Sequence, residues 1–430
     1  MTDAAAPAPP RDMTELTRVF GRIGLLSFGG PAAQIALMHK ELVEDRPWLT
    51  ERQFLNALSF CMLLPGPEAM QLATYAGWRV AGVRGGLIAG LLFVVPGAAV
   101  ILLLASIYAA VGNVPLVQAL FLGIKAAVIV IVLQALVKVS KKALTGLVPY
   151  LIAGAAFLAI YALQVPFPLI VLGAAGLGAL FMVKAAPETA PVPRVSSTST
   201  LGTVALWGAI WLAPLALLWI VAPGGLLAEV GLFFAKLAVV TFGGAYAVLA
   251  YMVQEVVGDY GWLTTAQMMD ALGLAETTPG PLILVTEFVG FLAGAQAGGW
   301  GLGLAAALVT LWVTFAPCFL WIFAGAPYIE WIASRPRLTG ALQAITAAVV
   351  GVILNLSVWF ALHVMFADLE SLTAGPLSVL VPVWSSLDGT ALGLTALAGG
   401  LIWGLRLDLM KVLPIMALAG LGATWALSGI

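Results

Sequence analysis

Two stretches of the chain carry the same pattern of glycine, proline and hydroxyl residues, and this pattern could bind an anion. Glycine tolerates positive φ and proline lacks an N–H, so each motif is expected to break a helix. A helix that restarts after a break presents free N–H groups and the positive end of its dipole. The residues predicted to form the anion site are Ser27, Phe28, Gly29, Gly30, Pro65, Gly66, Pro67, Thr241, Phe242, Gly243, Gly244, Thr277, Thr278, Pro279, Gly280 and Pro281. The alternative is that the glycines are close-packing points between helices.

Three basic residues in apolar surroundings could add positive charge to this site. Arg22 lies five residues before the first motif, and Lys236 lies five residues before the second. Lys125 lies in the middle of an apolar run. A charge at membrane depth is costly and therefore usually has a function. The alternatives are that Arg22 and Lys236 extend to the membrane surface, and that Lys125 pairs with an acid on another helix.

Three carboxyl groups beside the motifs could carry a coupling proton: Glu68, Glu276 and Glu287. An ionised carboxylate would repel a bound anion, and burial in the membrane favours the neutral form. The alternative is a static ion pair with a neighbouring Lys or Arg. A fourth acid, Asp270, is interpreted as a helix cap.

The two stretches are copies of one another. An offset of 214 residues aligns 27–67 with 241–281 over 41 positions without a gap, and eighteen aligned residues are identical. Unrelated segments of average composition would match at roughly three positions. The chain therefore contains an internal duplication whose repeated unit is broken at both ends, a pattern typical of transporters.

The composition places these motifs in a membrane protein. Of the 430 residues, 62% are hydrophobic and 9% are charged, whereas a soluble domain has about 25% charged residues. About thirteen hydrophobic segments follow one another along the chain, most of them long enough to cross a bilayer. We predict an all-α polytopic membrane protein with two inverted-topology repeats and broken or re-entrant helices.

Charge and cysteine content argue against other classes of function. The net charge of -1 gives no reason to expect a nucleic-acid partner. The two cysteines, Cys61 and Cys318, lie in separate apolar runs, which argues against a structural disulfide and leaves no metal-ligand set. No flavin, nicotinamide, haem or iron–sulfur fingerprint is present, so we expect no cofactor, no metal and no enzymatic activity.

The chain is predicted to have four parts: a disordered tail at 1–13, a first membrane repeat at 14–184, a linker at 185–200, and a second repeat with an extra preceding helix at 201–430. The linker is rich in proline, serine and threonine.

Lys and Arg favour cytoplasmic loops, and their placement predicts a cytoplasmic N-terminus and a periplasmic C-terminus.

The charges of two equivalent loops predict that the repeats are inverted. Loop 39–53 contains Lys40, Arg46 and Arg52, whereas its counterpart 253–267 contains no Lys or Arg. Both loops obey the charge rule if the apolar stretches beside them enter the membrane and return on the same side. If those stretches crossed fully, both loops would violate the rule. We therefore favour re-entrant hairpins, with full spans as the alternative.

The motifs of both halves resemble those of the chromate ion transporter family. In the first half these are SFGGP, RPWLTE, LPGPEAMQLATYAGWR and VRGG, and in the second half TFGGAY, GWLT, AETTPGPL and FVGF. The resemblance covers most of the chain and corresponds to the long, two-domain form of the family. It is firm for the paired FGG and PGP elements and weaker for the individual charges.

The resemblance implies a function in chromate transport and resistance. It implies a bacterial inner-membrane protein that exports chromate, driven by the proton gradient or the membrane potential. Sulfate has the same tetrahedral shape and charge, so a carrier of sulfate or of another oxyanion is an alternative. A passive anion channel is another. The expected partners are chromate and the lipid bilayer; a homodimer is compatible with such an architecture, although no residue pattern requires it.

Overall fold

The computed structural model describes residues 12–28, 30–112, 114–183, 197–242, 245–329, 331 and 335–428. Three predicted site residues, Gly29, Gly243 and Gly244, lie outside the described residues, as does the side chain of Thr277. Most of the predicted tail and linker also lies outside them.

Fifteen α-helices and one β-hairpin form the described part of the chain, in agreement with the predicted all-α membrane class. The helices are α1 (Met13–Leu26), α2 (Gly30–His39), α3 (Glu51–Cys61), α4 (Glu68–Val111), α5 (Pro115–Ala143), α6 (Leu147–Tyr161), α7 (Phe167–Phe181), α8 (Ser197–Val221), α9 (Leu226–Val240), α10 (Ala245–Val253), α11 (Thr265–Thr277), α12 (Val285–Gly325), α13 (Pro336–Met365), α14 (Gly389–Gly399) and α15 (Leu409–Ser428). Three of them continue into a π-helical turn: α2 into Lys40–Glu44, α10 into Gln254–Asp259 and α14 into Gly400–Gly404.

Six helical stretches among the described residues are long and apolar enough to cross a membrane. They are Glu68–Val111, Pro115–Ala143, Thr198–Val221, Leu282–Tyr328, Pro336–Met365 and Leu409–Ala426. Shorter apolar helices accompany them. The count of about thirteen segments stays a prediction.

Helix α4 consists of two arms joined by a sharp reversal. Its helical geometry is lost at Gly82, whose φ is 63°. Beyond this point the chain folds back, so that a Cβ on Gly77 would lie 2.3 Å from the carbonyl oxygen of Gly85. In a straight helix, residues eight positions apart would be about 12 Å apart. We name the two arms α4a (68–80) and α4b (83–111).

Helix α12 contains the same reversal. Gly299 has a φ of 80°, and a Cβ on Gly294 would lie 2.5 Å from the carbonyl oxygen of Leu302. The arms are α12a (285–297) and α12b (300–325). The first arms, α4a and α12a, are each about 20 Å long, which is shorter than the roughly 30 Å hydrocarbon core of a bilayer.

The long arms α4b and α12b pack antiparallel against each other. A Cβ on Gly86 would meet the ring of Phe323 at 2.7 Å, and one on Gly90 would meet the ring of Phe319 at the same distance. The later position on α4b, Gly90, thus contacts the earlier position on α12b, Phe319, so the two arms run in opposite directions. Glycine at these positions makes room for the aromatic rings.

The first two helices form an antiparallel hairpin. Arg22 on α1 lies 3.4 Å from Glu41, which follows α2. Glu41 also accepts from Arg46 at 2.5 Å, and its side chain is only 3% exposed. The rings of Phe20 and Trp48 are 6.3 Å apart. Glu15, near the start of α1, lies 4.0 Å from Arg46, so the start of α1 is close to the loop that follows α2.

The repeated WLT motif starts a helix in each copy. Thr50 accepts from the backbone N–H of Gln53, and the Gln53 side chain accepts from the backbone N–H of Thr50. Thr264 and Gln267 make the same reciprocal pair in the second copy. Such a capping box satisfies two N–H groups that the first helical turn leaves unpaired, which explains why both threonine and glutamine recur.

The helices group into two compact units that both draw on the two sequence halves. The first unit contains Met1–Ser106, Ala185–Ala245 and Thr278–Leu338, and the second contains Ile107–Lys184, Tyr246–Thr277 and Thr339–Ile430. In the second unit, an apolar core joins α5 to α14 and α15 through residues such as Ala127, Ala398 and Val412. The predicted boundaries at 14–184 and 201–430 therefore describe sequence repeats, and they stay a prediction.

The polar connection before α14 contains a β-hairpin that sequence analysis missed. Strands β1 (Leu369–Ala374) and β2 (Leu377–Pro382) pair antiparallel. Gly375 has a φ of 62°, which fits the first central position of a type II′ turn. The Ser378 N–H donates to the carbonyl of Ala162, which fixes the hairpin to the end of α6.

The α4 reversal provides a stability prediction. Replacing Gly77 or Gly85 with alanine would place a methyl group about 2 Å from a backbone oxygen of the other arm. We expect each variant to lower the melting temperature of the detergent-solubilised protein by several degrees, because overpacking of this kind costs about 1–3 kcal/mol. The control is Gly208→Ala on α8, where a Cβ meets nothing within 4 Å; it should melt at or slightly above the wild-type temperature. Equal melting of all variants would contradict the close contact.

Candidate functional site

The breaks between helices converge in the first unit. Ser27 follows α1 and Thr241 follows α9. Pro65–Pro67 lies between α3 and α4a, and Thr278–Pro281 precedes the 3₁₀ turn that leads into α12a. Each break therefore leaves helix ends whose backbone groups must find partners elsewhere.

Two crossed hydrogen bonds join the breaks of one copy to those of the other. The Gly66 N–H donates to the carbonyl of Thr241, and the Gly280 N–H donates to the carbonyl of Ser27, both at 2.8 Å. Gly66 and Gly280 are equivalent positions of the repeat, and so are Ser27 and Thr241. The two bonds are thus the same contact made twice, in opposite directions.

Glycine is required at the donor positions of these bonds. Gly66 has a φ of 112° and Gly280 has a φ of 88°, a region that residues with a Cβ rarely adopt. A Cβ on Gly66 would also meet the side chain of Gln71 at 2.8 Å. The central glycine of each PGP motif therefore serves both the turn and the close approach.

The two hydroxyl groups at the breaks are bonded within their own helices. The Ser27 Oγ–H donates to the carbonyl of Ile23 at 2.5 Å, and the Thr241 Oγ1–H donates to that of Leu237 at 2.6 Å. Both side chains are 1% exposed. Both hydroxyl hydrogens therefore bond to backbone carbonyls and are not available to an anion in this structure. The hydroxyl oxygens can still accept.

A small cavity lies where the breaks meet. It is lined by Pro31, Gln34, Pro67, Glu68, Ala69, Thr241, Pro281, Leu282 and Ile283. Its size is that of about one water molecule, so the breaks are closed together. An anion the size of a tetrahedral oxyanion would enter only if they moved apart.

Gln34 is a site residue that sequence reasoning missed. Its Nε2 donates to the carbonyls of Gly280 at 2.7 Å and Ser27 at 3.3 Å. Both partners only accept, so the amide nitrogen must face them. Its Oε1 has no hydrogen-bond partner among the described residues. The available signal was a polar residue where the second copy has Val248.

Gln71 was missed as well. Its Nε2 donates to the carbonyl of Pro65 at 2.7 Å, and the side chain is fully buried. It thereby fixes the first PGP motif from within α4a. The sequence signal for it was a polar residue among the apolar residues Met70, Leu72 and Ala73.

The three predicted proton carriers have different surroundings. Glu68 is half-buried and lines the cavity. Glu287, on α12a, is 1% exposed, and its Oε2 has no hydrogen-bond partner among the described residues. Glu276 belongs to the second unit, where it accepts from the Tyr246 hydroxyl at 3.0 Å. A buried carboxyl without a counter-charge favours its protonated form.

The predicted cations do not line the cavity. Arg22 is 60% exposed on its side chain and pairs with Glu41 at the surface of the α1–α2 hairpin. Lys236 is exposed on α9. Lys125 lies in the second unit, where its Nζ is 2.9 Å from Oδ1 of Asp270. Of the two roles considered for Lys125, the structure shows the ion pair with an acid on another helix.

Asp270 is not the helix cap that the sequence suggested. It lies in the middle of α11, is 0% exposed, and accepts from the Tyr108 hydroxyl at 2.7 Å in addition to pairing with Lys125. Together these contacts join α11 to α4b and α5 within the second unit.

The other predicted site residues lie at the breaks. Gly66, Thr278, Pro279, Gly280 and Pro281 are buried, and Phe28, Gly30, Pro65, Pro67 and Phe242 are partly buried. Their part in binding a substrate stays a prediction.

Comparison with known proteins identifies the family. A family model described as chromate transporter matches residues 14–179 and 228–424, which together make up most of the chain. The chain belongs to the chromate transporter family. The two matched ranges each contain one copy of the FGG and PGP motifs. This family and the long apolar helices make the protein a multi-pass membrane transporter.

Curated relatives of this transporter come from several bacteria. It is 34% identical over 82% of its length to a chromate transport protein of Pseudomonas aeruginosa, and covers 82% of that protein. It is 31% identical to a probable chromate transport protein of Synechococcus elongatus, over 80% of this chain and 84% of the relative. The chromate transport protein of Cupriavidus metallidurans is 30% identical, with coverage of 80% and 82%. No solved structure matches the transporter.

The Lys125–Asp270 pair gives a testable prediction for this transporter. Lys125→Met leaves Asp270 buried without its counter-charge, which typically costs about 3–5 kcal/mol. We expect a large fall in melting temperature and in the amount of membrane-inserted protein. The double variant Lys125→Met with Asp270→Asn removes both charges and should recover most of the loss, since asparagine can still accept from Tyr108.

The control for this experiment is Lys138→Met, which changes an exposed lysine on the same helix and should have little effect. A single Lys125→Met variant as stable as wild type would show that the ion pair does not hold α11. Fluorescence-detected size-exclusion after heating measures all four proteins.

Proposed function

We propose that this protein is a secondary active transporter that exports chromate from the bacterial cytoplasm across the inner membrane. The names of the curated relatives support chromate as the substrate. The observation that carries the proposal is the pair of crossed hydrogen bonds at the closed cavity. Non-helical backbone buried among membrane helices is tolerated where it lines a binding site, and chromate, a tetrahedral dianion, suits helix ends with free N–H groups.

An inverted arrangement of the two repeats is part of this proposal. The reversal of α4 lies beside Arg79 and Arg84, whereas the reversal of α12 at 296–300 has no Lys or Arg. This repeats the asymmetry between loops 39–53 and 253–267. Under the positive-inside rule, the first reversal is cytoplasmic and the second is periplasmic. The N-terminus is then cytoplasmic and the C-terminus periplasmic.

Re-entrant helices also fit the geometry of the first unit. Support for a hairpin that returns to its starting side comes from Glu15, near the start of α1, which lies 4.0 Å from Arg46 after α2. The arms α4a and α12a are too short to cross the hydrocarbon core. The breaks would therefore lie within the bilayer, reached from opposite faces. This arrangement permits alternating access, in which one set of arms moves against the other.

We further propose that export is driven by the proton gradient or the membrane potential, and that Glu287 carries the coupling proton. Glu287 is buried within the unit that contains the cavity, and one of its oxygens has no hydrogen-bond partner among the described residues. A carboxyl group that binds a proton when the site is closed and releases it when the site opens would couple the two movements. Glu68, at the cavity itself, and Glu276 are the alternative carriers.

The function is tested by uptake of labelled chromate into everted membrane vesicles. We expect uptake that requires the gene and collapses with an uncoupler. Nigericin, which dissipates the proton gradient, and valinomycin with potassium, which dissipates the potential, separate the two driving forces. If the vesicles take up labelled sulfate but not chromate, the substrate is sulfate, and the proposed binding site is retained. If neither ionophore changes the rate of chromate uptake, the protein is a passive channel.

Glu287→Gln tests the coupling role, because glutamine imitates the protonated carboxyl. If Glu287 carries the proton, nigericin-sensitive uptake should fall at least about tenfold while the protein remains in the membrane. The matched control is Glu370→Gln in the exposed strand β1, which should transport at the wild-type rate. If the Glu287→Gln variant shows nigericin-sensitive uptake at the wild-type rate, Glu287 does not carry the proton, and Glu68 or Glu276 becomes the candidate carrier.

A further inference from the structure

A second cavity lies at one end of the α5–α14–α15 bundle in the second unit. It is open, has a volume of about 400 Å³, and is lined by Gln134, Ile402, Trp403, Arg406 and Leu407. None of these residues belongs to the FGG or PGP motifs. The polar groups in the lining are a guanidinium, a carboxamide and an indole N–H, all of which can donate hydrogen bonds.

Arg406 occupies an unusual backbone position. Its φ is 53°, a left-handed conformation that is unfavourable for a residue with a Cβ. The N–H of Leu407 donates to the carbonyl of Leu401 across this residue. This bond spans one residue more than the six-to-one bond of a Schellman helix end, because the helix ends in the π-helical turn Gly400–Gly404. At helix ends of the Schellman kind, the left-handed residue is usually glycine. The chain therefore places a guanidinium where glycine would be less strained.

No ion pair neutralises Arg406 among the described residues. The nearest acid in sequence, Asp408, instead accepts from the Leu409 N–H at 2.9 Å and starts α15. Lys138 lies one helical turn beyond Gln134 on α5, and it is exposed. The cavity and its edge thus carry positive charge, and the part of the chain that the structure describes supplies no counter-ion for Arg406.

The position of the cavity along the helices indicates what it meets. Gln134 is followed by Lys138, Lys141 and Lys142 at the end of α5, and this end is cytoplasmic in the proposed topology. Trp403 is 54% exposed, as expected for an aromatic side chain at the membrane surface. A basic pocket between helices at this level matches the phosphate of an anionic lipid headgroup.

We propose that this cavity binds the headgroup of an anionic phospholipid from the cytoplasmic leaflet. Arg406 pairs with the lipid phosphate through its planar guanidinium, Gln134 donates to a phosphate or glycerol oxygen, and Trp403 lies against the headgroup level of the bilayer. The leaflet assignment rests on the topology given under the proposed function. The lipid would hold the ends of α5, α14 and α15 together.

The test measures thermal stability of purified protein in detergent with added phosphatidylglycerol or phosphatidylcholine. We expect phosphatidylglycerol to raise the wild-type melting temperature by about 3 °C or more over phosphatidylcholine. Arg406→Gly should abolish this difference. Because glycine relieves the left-handed strain, the same variant should be at least as stable as wild type without lipid, which a purely structural role for the guanidinium would not give.

Two further variants test whether the effect is specific to the cavity. Gln134→Leu should reduce the lipid-dependent shift while keeping the backbone unchanged. Arg337→Gln removes one exposed positive charge at the start of α13 and should keep the full shift. If all variants respond equally to phosphatidylglycerol, the headgroup site is refuted. If inorganic phosphate with phosphatidylcholine produces the Arg406-dependent shift and phosphatidylglycerol does not, the cavity binds a free anion and the lipid proposal fails.

The lipid test is independent of the transport test. Chromate uptake can be present in wild type while the lipid-dependent shift is absent, which refutes only the headgroup site. A shift that depends on Arg406 in a protein that moves neither chromate nor sulfate would leave the headgroup site intact and remove the proposed function.

Discussion

The structure depends on the satisfaction of backbone groups that broken helices leave unpaired. In the hydrocarbon core of a bilayer no water can bond to a free N–H or carbonyl, so a helix break at that depth must be closed by protein. Here the N–H of Gly66 reaches the carbonyl of Thr241, and that of Gly280 reaches the carbonyl of Ser27. Each copy of the repeat therefore completes the other. This constraint explains why glycine stands at the donor position of both PGP motifs, since a side chain there would be strained and would block the approach.

The duplication gives both copies the same helix breaks, and the positions at which the copies differ change the contacts around them. Gln34 lines the cavity where the second copy has Val248, and Asp270 replaces Asn56 of the first copy. Gln34 bonds to Ser27 and Gly280 and so reinforces one of the two crossed bonds only. Asp270 gives the second unit a buried ion pair with Lys125. A transporter that must respond differently on its two sides requires such differences, because two identical halves would give both faces the same affinity.

Glycine also shapes the helices around the site. Gly82 and Gly299 reverse α4 and α12 at similar distances beyond the two PGP motifs. Each reversal leaves a short arm that follows a PGP motif and a long arm, and the two long arms pack together. Charge distribution accompanies this geometry: Arg79 and Arg84 lie beside the first reversal, and no basic residue lies beside the second. The glycine reversals are a steric feature of the backbone and the Lys and Arg placement is an electrostatic one. Both features distinguish the two ends of the duplicated region.

The sequence alone determined the class, the duplication, the breaks and the family, because these depend on composition and on local preferences of glycine, proline and threonine that need no knowledge of distant contacts. The capping boxes at Thr50 and Thr264 depend on the same kind of local preference, although the sequence analysis did not predict them. Tertiary structure decided which groups meet. It paired Lys125 with Asp270, bonded the Ser27 and Thr241 hydroxyls to their own helices, and brought Gln34 to the cavity. It also revealed the reversals of α4 and α12, which the hydropathy of a continuous apolar stretch conceals. The physical reason is that the contacts between helices join residues more than 100 positions apart, as for Gln34 and Gly280. Spacing along the chain carries no information about such pairs.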